Sequence, residues 1–97
     1  MRHFHRTSLT PDAVLDTADH YFPTVGLNKT GGDSRSRGFV GALGTLRLTV
    51  KMEGGHYTFV EVHTDQVGES RLDKNVKKFF VAMHRRADPR HLIEAGY

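Results

Sequence analysis

Apolar and polar positions alternate most sharply along Gly44–Asp65, GTLRLTVKMEGGHYTFVEVHTD. Side chains of a strand point to opposite faces in turn. Leu46, Leu48, Val50 and Met52 therefore share one face, and Arg47, Thr49, Lys51 and Glu53 the other. Gly54-Gly55 marks a turn, and the register of the return strand depends on its length. A two-residue loop sets Val50 against Phe59 but brings Glu61 and His63 onto the apolar face. A three-residue loop, Gly54-Gly55-His56, places Val60 and Val62 there instead, with Thr58 and Thr64 at the margins. A slip of one residue inverts every side chain, so the hydrophobic pattern selects the three-residue loop. The opposite face then carries Tyr57 and Phe59 among Arg47, Lys51, Glu61 and His63.

Met1–Ser8 also alternates and reads as a first strand, with His3, His5 and Thr7 on one face and Arg2, Phe4, Arg6 and Ser8 on the other. Thr10-Pro11-Asp12 starts a helix: a threonine cap, a proline at the first helical position, and an acid at the positive end of the dipole. Val14, Leu15, Ala18 and Phe22 follow at helical spacing, and Pro23 is expected to stop the helix. Thr24–Arg37 is polar, Gly-rich and without a sustained period. A short strand over Val25–Lys29 and a hairpin loop over Thr30–Arg37 are expected there. Gly38–Leu43 reads as a further short strand, with Gly44 as a break before the main hairpin.

The second helix has the clearer stripe: Leu72, Val76, Phe79, Phe80 and Met83, with Lys74, Lys77, Lys78 and Arg85 away from it. Ser70 or Asp73 caps its start and Asp88-Pro89 ends it. Leu92, Ile93 and Tyr97 suggest that the tail, Arg90–Tyr97, docks as a short helical turn. The order is strand, helix, three or four strands, helix, with no repeat and no linker, hence a single domain over residues 1–97. The expected fold is α+β: an antiparallel sheet of four to five strands with two amphipathic helices on one face. Leu46, Leu48, Val50, Val60 and Val62 are the sheet's share of the core. The second face is left open, and exposed aromatics there point to a partner.

This order, with the opening FHRTSLTPDAVLD and the closing RLDKNVKKFFVAMHRR, resembles a shortened START-like (polyketide cyclase-like) helix-grip domain. It is also similar to the small proteins of the polyhydroxyalkanoate-system family, which have a Gly-Thr-Leu strand comparable to Gly44-Thr45-Leu46. Both lie close in topology to the TATA-binding-protein-like half-repeat. The resemblance implies a strand, a Pro-initiated helix, a curved sheet and a long closing helix. It transfers no catalytic residue, and fold likeness does not determine function.

The chain has 97 residues and should bury roughly 60–70% of its unfolded surface. With 37% hydrophobic residues the core is thin, and small domains of that kind often gain stability by oligomerising. The absence of cysteine excludes disulfides, thiolate zinc sites and cysteine nucleophiles, and fits a reducing compartment. No apolar run reaches the ~18–20 residues of a membrane span, and MRHFHRTSLT lacks a signal-peptide core. A cytoplasmic location is expected. The net charge of +3 is mild, and the cations Lys74, Lys77, Lys78, Arg85, Arg86 and Arg90 read first as a solvated helix face.

Seven histidines raise a metal hypothesis. His3 and His5 point the same way, and His63 approaches them if their strands are neighbours, but no carboxylate stands at ligand spacing beside them. None of Ser8, Ser34, Ser36 and Ser70 sits in a strand–turn–helix elbow. Glu53 and Glu61 share the outer face, where pairing with Lys51 and Arg47 is expected to neutralise them; Asp65 is the third acid of that region. NKTGGDSRSR, residues 28–37, offers glycine amides and two arginines to a phosphate but lacks the phosphate-loop motif. No catalytic, cofactor or metal residue is assigned. The leading expectation is a binding or assembly module that self-associates, as a dimer first of all, or docks a protein partner through Arg47, Lys51, Tyr57, Phe59, Glu61 and His63. Two alternatives stand: a helix-grip pocket for an apolar small molecule at Phe79, Phe80 and Met83, and a sheet that stacks single-stranded nucleic acid.

Overall fold

The computed structural model describes residues 1–88; the expected docking of the tail at Arg90–Tyr97 lies outside them. Strand β1 (Arg2–Thr7) leads to helix α1 (Pro11–Thr24). Four strands follow, β2 (Leu27–Asp33), β3 (Ser36–Gly41), β4 (Gly44–Glu53) and β5 (Tyr57–Thr64), and then helix α2 (Arg71–Ala87). The strands form one antiparallel sheet in the order β1-β5-β4-β3-β2. Thus β1 crosses the molecule to pair with β5, and β1 and β2 are the edges. Helix α1 lies over β2–β4 and α2 over β1 and β5, both on the same face.

The main hairpin has the three-residue loop that the alternation selects. Glu53 faces Tyr57, Val50 faces Val60 and Leu48 faces Val62. Leu46, Leu48, Val50, Val60 and Val62 are buried against Val14, Leu15, Ala18 and Phe22 of α1 and Leu72, Val76, Phe79 and Met83 of α2. Phe22 is the centre of an aromatic cluster, its ring 4.9 Å from that of Phe79 and 5.1 Å from that of Phe39. Met52 differs from expectation. It lies 48% exposed, because the hairpin tip runs beyond the helices that cover the rest of its face.

Both helices are capped as their sequences indicate. The Thr10 hydroxyl accepts from Ala13 N, and the Ser70 hydroxyl from Asp73 N at 3.0 Å. Pro23 does not stop α1. It sits in the last turn, and the helix closes through Val25 N–H to Phe22 O and Gly26 N–H to Pro23 O. A proline there forfeits only its own N–H, which the final turn tolerates.

The larger departure is over residues 30–37, expected as a loop. Instead of a long loop, β2 extends to Asp33, β3 begins at Ser36, and only Ser34 and Arg35 turn between them. The Asp33 carboxylate accepts from Arg35 N (2.8 Å) and Ser36 Oγ (3.0 Å), a local turn that replaces a backbone one. A bulge between Lys29 and Gly31 breaks the register. The third strand accordingly ends at Gly41, and Ala42-Leu43 turn into β4.

Candidate functional site

The sheet face opposite the helices is covered by no described element. Pairing of β5 with β1 on one side and β4 on the other sets Arg2, His63 and Arg47 in one row, Phe4, Glu61 and Thr49 in the next, and Arg6, Phe59 and Lys51 in the third. All six residues expected at the site, Arg47, Lys51, Tyr57, Phe59, Glu61 and His63, share this face. Alternation in β4 and β5 fixes their side, and the hairpin register fixes their neighbours.

Sequence reasoning left out the contribution of β1. Phe4 is 52% exposed and its ring stands 5.6 Å from that of Phe59; Tyr57, at the hairpin end, is 55% exposed. The Arg6 guanidinium lies 5.0 Å from the Phe59 ring centre and the Lys51 ammonium 5.7 Å from it, both within cation–π range. The alternation of Met1–Ser8 already separated Arg2, Phe4 and Arg6 from the histidines. What it could not supply was the neighbour of this strand, some sixty residues away in sequence.

The acids of the face are neutralised, though not by Lys51 and Arg47. Glu53 accepts from Arg6 Nε at 2.7 Å, and Glu61 lies 3.0 Å from Arg2 Nε. The arginine side chains of β1 reach both acids across the sheet. The single Nε–H of Arg2 also points at His63 Nε2, 2.6 Å away, and the same ring nitrogen lies 3.1 Å from Glu61 Oε1. Among the described residues Arg47 and Lys51 are left without an ion pair. Arg2, Arg47, Thr49, Glu61 and His63 surround a shallow depression of about 310 Å³.

The histidines do not assemble. His63 is on the open face and His3 and His5 are on the helix face, so the neighbouring strands hold them apart. Among the described residues no three potential ligands gather at metal-binding spacing. His5 stacks on Phe80 at 4.9 Å, and its pKa is lowered by burial and by the nearby His84.

His3 has a carboxylate partner that local spacing could not reveal. Its Nε2 donates to Asp73 Oδ1 at 2.8 Å. Thr64 Oγ1 donates to the same oxygen (2.8 Å) and Ser70 Oγ to Oδ2 (2.6 Å). Burial pushes the Asp73 carboxyl up, but these bonds from Ser70, His3 and Thr64 outweigh it and hold its pKa at about 2. The carboxylate stands between the serine and the imidazole. A nucleophilic site needs the base between them, so this cluster activates no serine. It ties β1, β5 and α2 together.

The remaining candidates are occupied in structure. Arg37 turns to the helix face, where its Nε lies 3.0 Å from Asp19 and its Nη1 bonds the carbonyls of Asp33 and Ser36. Gly31 and Gly32 pair within the sheet. The segment weighed for phosphate is therefore a closed hairpin. Asp65 accepts from Thr45 N (2.9 Å) and Gln66 Nε2 (2.9 Å), apart from Glu53 and Glu61. Phe79 and Met83 are fully buried core. No helix among the described residues is long and apolar enough to cross a membrane. No protein family model, curated protein or solved structure matches the chain.

Proposed function

We propose that the chain is a non-catalytic assembly module that pairs through the open sheet face with a protein surface, first of all a second copy of itself. One observation carries the reading: Phe4 and Phe59 meet at 5.6 Å on an uncovered face, with Tyr57 exposed beside them. Aromatic anchors inside a rim of arginine, lysine and glutamate match the anatomy of an interface, and a two-fold dimer is the commonest closed assembly. The rim also carries both signs of charge, so two copies facing each other can pair cation with acid and fix their register. A cytoplasmic setting fits the lack of cysteine.

Native mass spectrometry and light scattering test this on wild type and Phe59→Glu. The expected outcome is a wild-type dimer and a monomeric variant with an unchanged circular dichroism spectrum. A dimer that survives the substitution removes this face from the interface. A wild type that stays monomeric and retains no protein partner when isolated from its host removes the assembly reading.

A second reading draws on the same rows. Three aromatics now stand beside Arg47 and Lys51, and the two acids are already tied to Arg2 and Arg6. Such a surface suits bases that stack and phosphates that need neutralising. A salt-sensitive shift with single-stranded oligonucleotide supports it, and its absence at low salt dismisses it. The apolar-pocket reading draws no support from the core, where Phe22, Phe39 and Phe79 fill the space between helices and sheet.

A further inference from the structure

At the N-terminal half of α2 lies a second charged feature, away from the open face. A cleft of about 540 Å³ opens where α2 passes the α1–β2 junction and the β3–β4 turn. Val25, Gly26 and Leu43 form one side, and Arg71, Lys74 and Lys78 line it along the helix. Residues three and four apart share a helix face, so these three cations spread over about 10 Å of axis beside one opening.

Among the described residues no acid lines the cleft. Glu69, close in sequence, bonds Lys77 at 2.6 Å and feels Lys74 only at longer range. Asp73 is buried and holds Ser70, His3 and Thr64. Asn75 accepts from the Tyr21 hydroxyl and donates to Arg71 O, so its amide is committed as well. Among the described residues, then, Arg71, Lys74 and Lys78 have no carboxylate partner. Like charges three and four residues apart on a helix destabilise one another, and a bound anion would relieve that. Val25 and Leu43 are half-buried against the core and give the cleft an apolar wall beside its cations.

We propose that this cleft binds a small ligand carrying two or more phosphate groups next to an apolar portion. One phosphate bridges Arg71 and Lys74, a second bridges Lys74 and Lys78, and the apolar portion rests on Val25 and Leu43. Arginine offers a fork to phosphate oxygens, and the lysines add point charges. The volume lies in the range of small-molecule sites. The site uses none of the residues of the open face, so it stands or falls apart from the assembly reading.

Pyrophosphate titrated into isotope-labelled full-length protein at constant ionic strength, followed by amide NMR shifts, tests it. Orthophosphate serves as comparison. The expected result is saturable shifts confined to residues 25–26, 42–43 and 71–78, with a midpoint at least tenfold lower for pyrophosphate. Lys74→Glu and, separately, Arg71→Gln should each weaken binding at least tenfold while the rest of the spectrum is kept. Arg85→Glu, farther along α2, should leave the midpoint unchanged. Shifts that fail to saturate, that spread over basic residues throughout the surface, or that weaken equally with Arg85→Glu overturn the proposal.

Discussion

Asp73 is where three elements meet: β1 through His3, β5 through Thr64 and α2 through Ser70. It is 1% exposed, and a carboxylate in that position is tolerable only with its oxygens satisfied. Its folded pKa of about 2 lies below the ordinary 3.8. The stabilisation is therefore fully present above 3.8 and lost as pH falls toward 2. Asp73→Asn should cost about 2–3 kcal/mol in urea unfolding at pH 7, since hydrogen bonds to a charged group are lost or weakened. The gap from wild type should narrow between pH 4 and 2. A gap that does not change with pH would mean that the charge contributes nothing beyond the shape of the side chain. From sequence, Ser70 and Asp73 were legible as cap candidates because capping acts over three residues. The His3 bond was not, because seventy residues separate its partners.

At the scale of elements, legibility follows how many side chains report the face. In β4 and β5 nearly every position does, so the hairpin register, its three-residue loop and the core set were readable. Along α2 the apolar stripe is equally full. In β2, by contrast, Gly31 and Gly32 carry no side chain to show a period, so the pattern reaches only to Lys29 and the rest of the strand reads as loop. At Gly31 a Cβ would meet nothing within 4 Å, whereas at Gly32 the partner strand is close. A Cβ on Gly32 would stand 2.3 Å from the Ser36 carbonyl oxygen, at a φ of +154°. At Gly54 the φ is +64° but nothing lies within 4 Å of the position. Gly54→Ala should then cost only the left-handed conformation, about 1 kcal/mol. Gly32→Ala must also move backbone, and should cost about 2–3 kcal/mol and perturb amide shifts across β2 and β3. Equal costs at the two sites would mean that the β2–β3 pair yields without resistance.

The described residues form a thin two-layer structure, with helices and one sheet face sealing the core and none of those residues covering the second sheet face. Alternation foretold that face and five of its polar and aromatic neighbours around Phe59. Closure of the sheet by β1 added Arg2, Phe4 and Arg6, of which Phe4 sets its ring 5.6 Å from that of Phe59. An aromatic surface exposed in this way contributes little stability to a lone chain, and far more once a partner covers it. If two copies pair there, association is linked to folding, and unfolding becomes concentration-dependent. For a chain of 97 residues a tenfold rise in protein concentration should raise the Tm by about 3–5 °C. Phe59→Glu should abolish that dependence, whereas Asp73→Asn should lower the Tm at every concentration and keep the slope. The two variants thus separate the face from the core by a single calorimetric series. A wild-type Tm that is flat with concentration would place the stability of this fold wholly within one chain, and the aromatic rows would then have to be explained by a ligand other than a second copy.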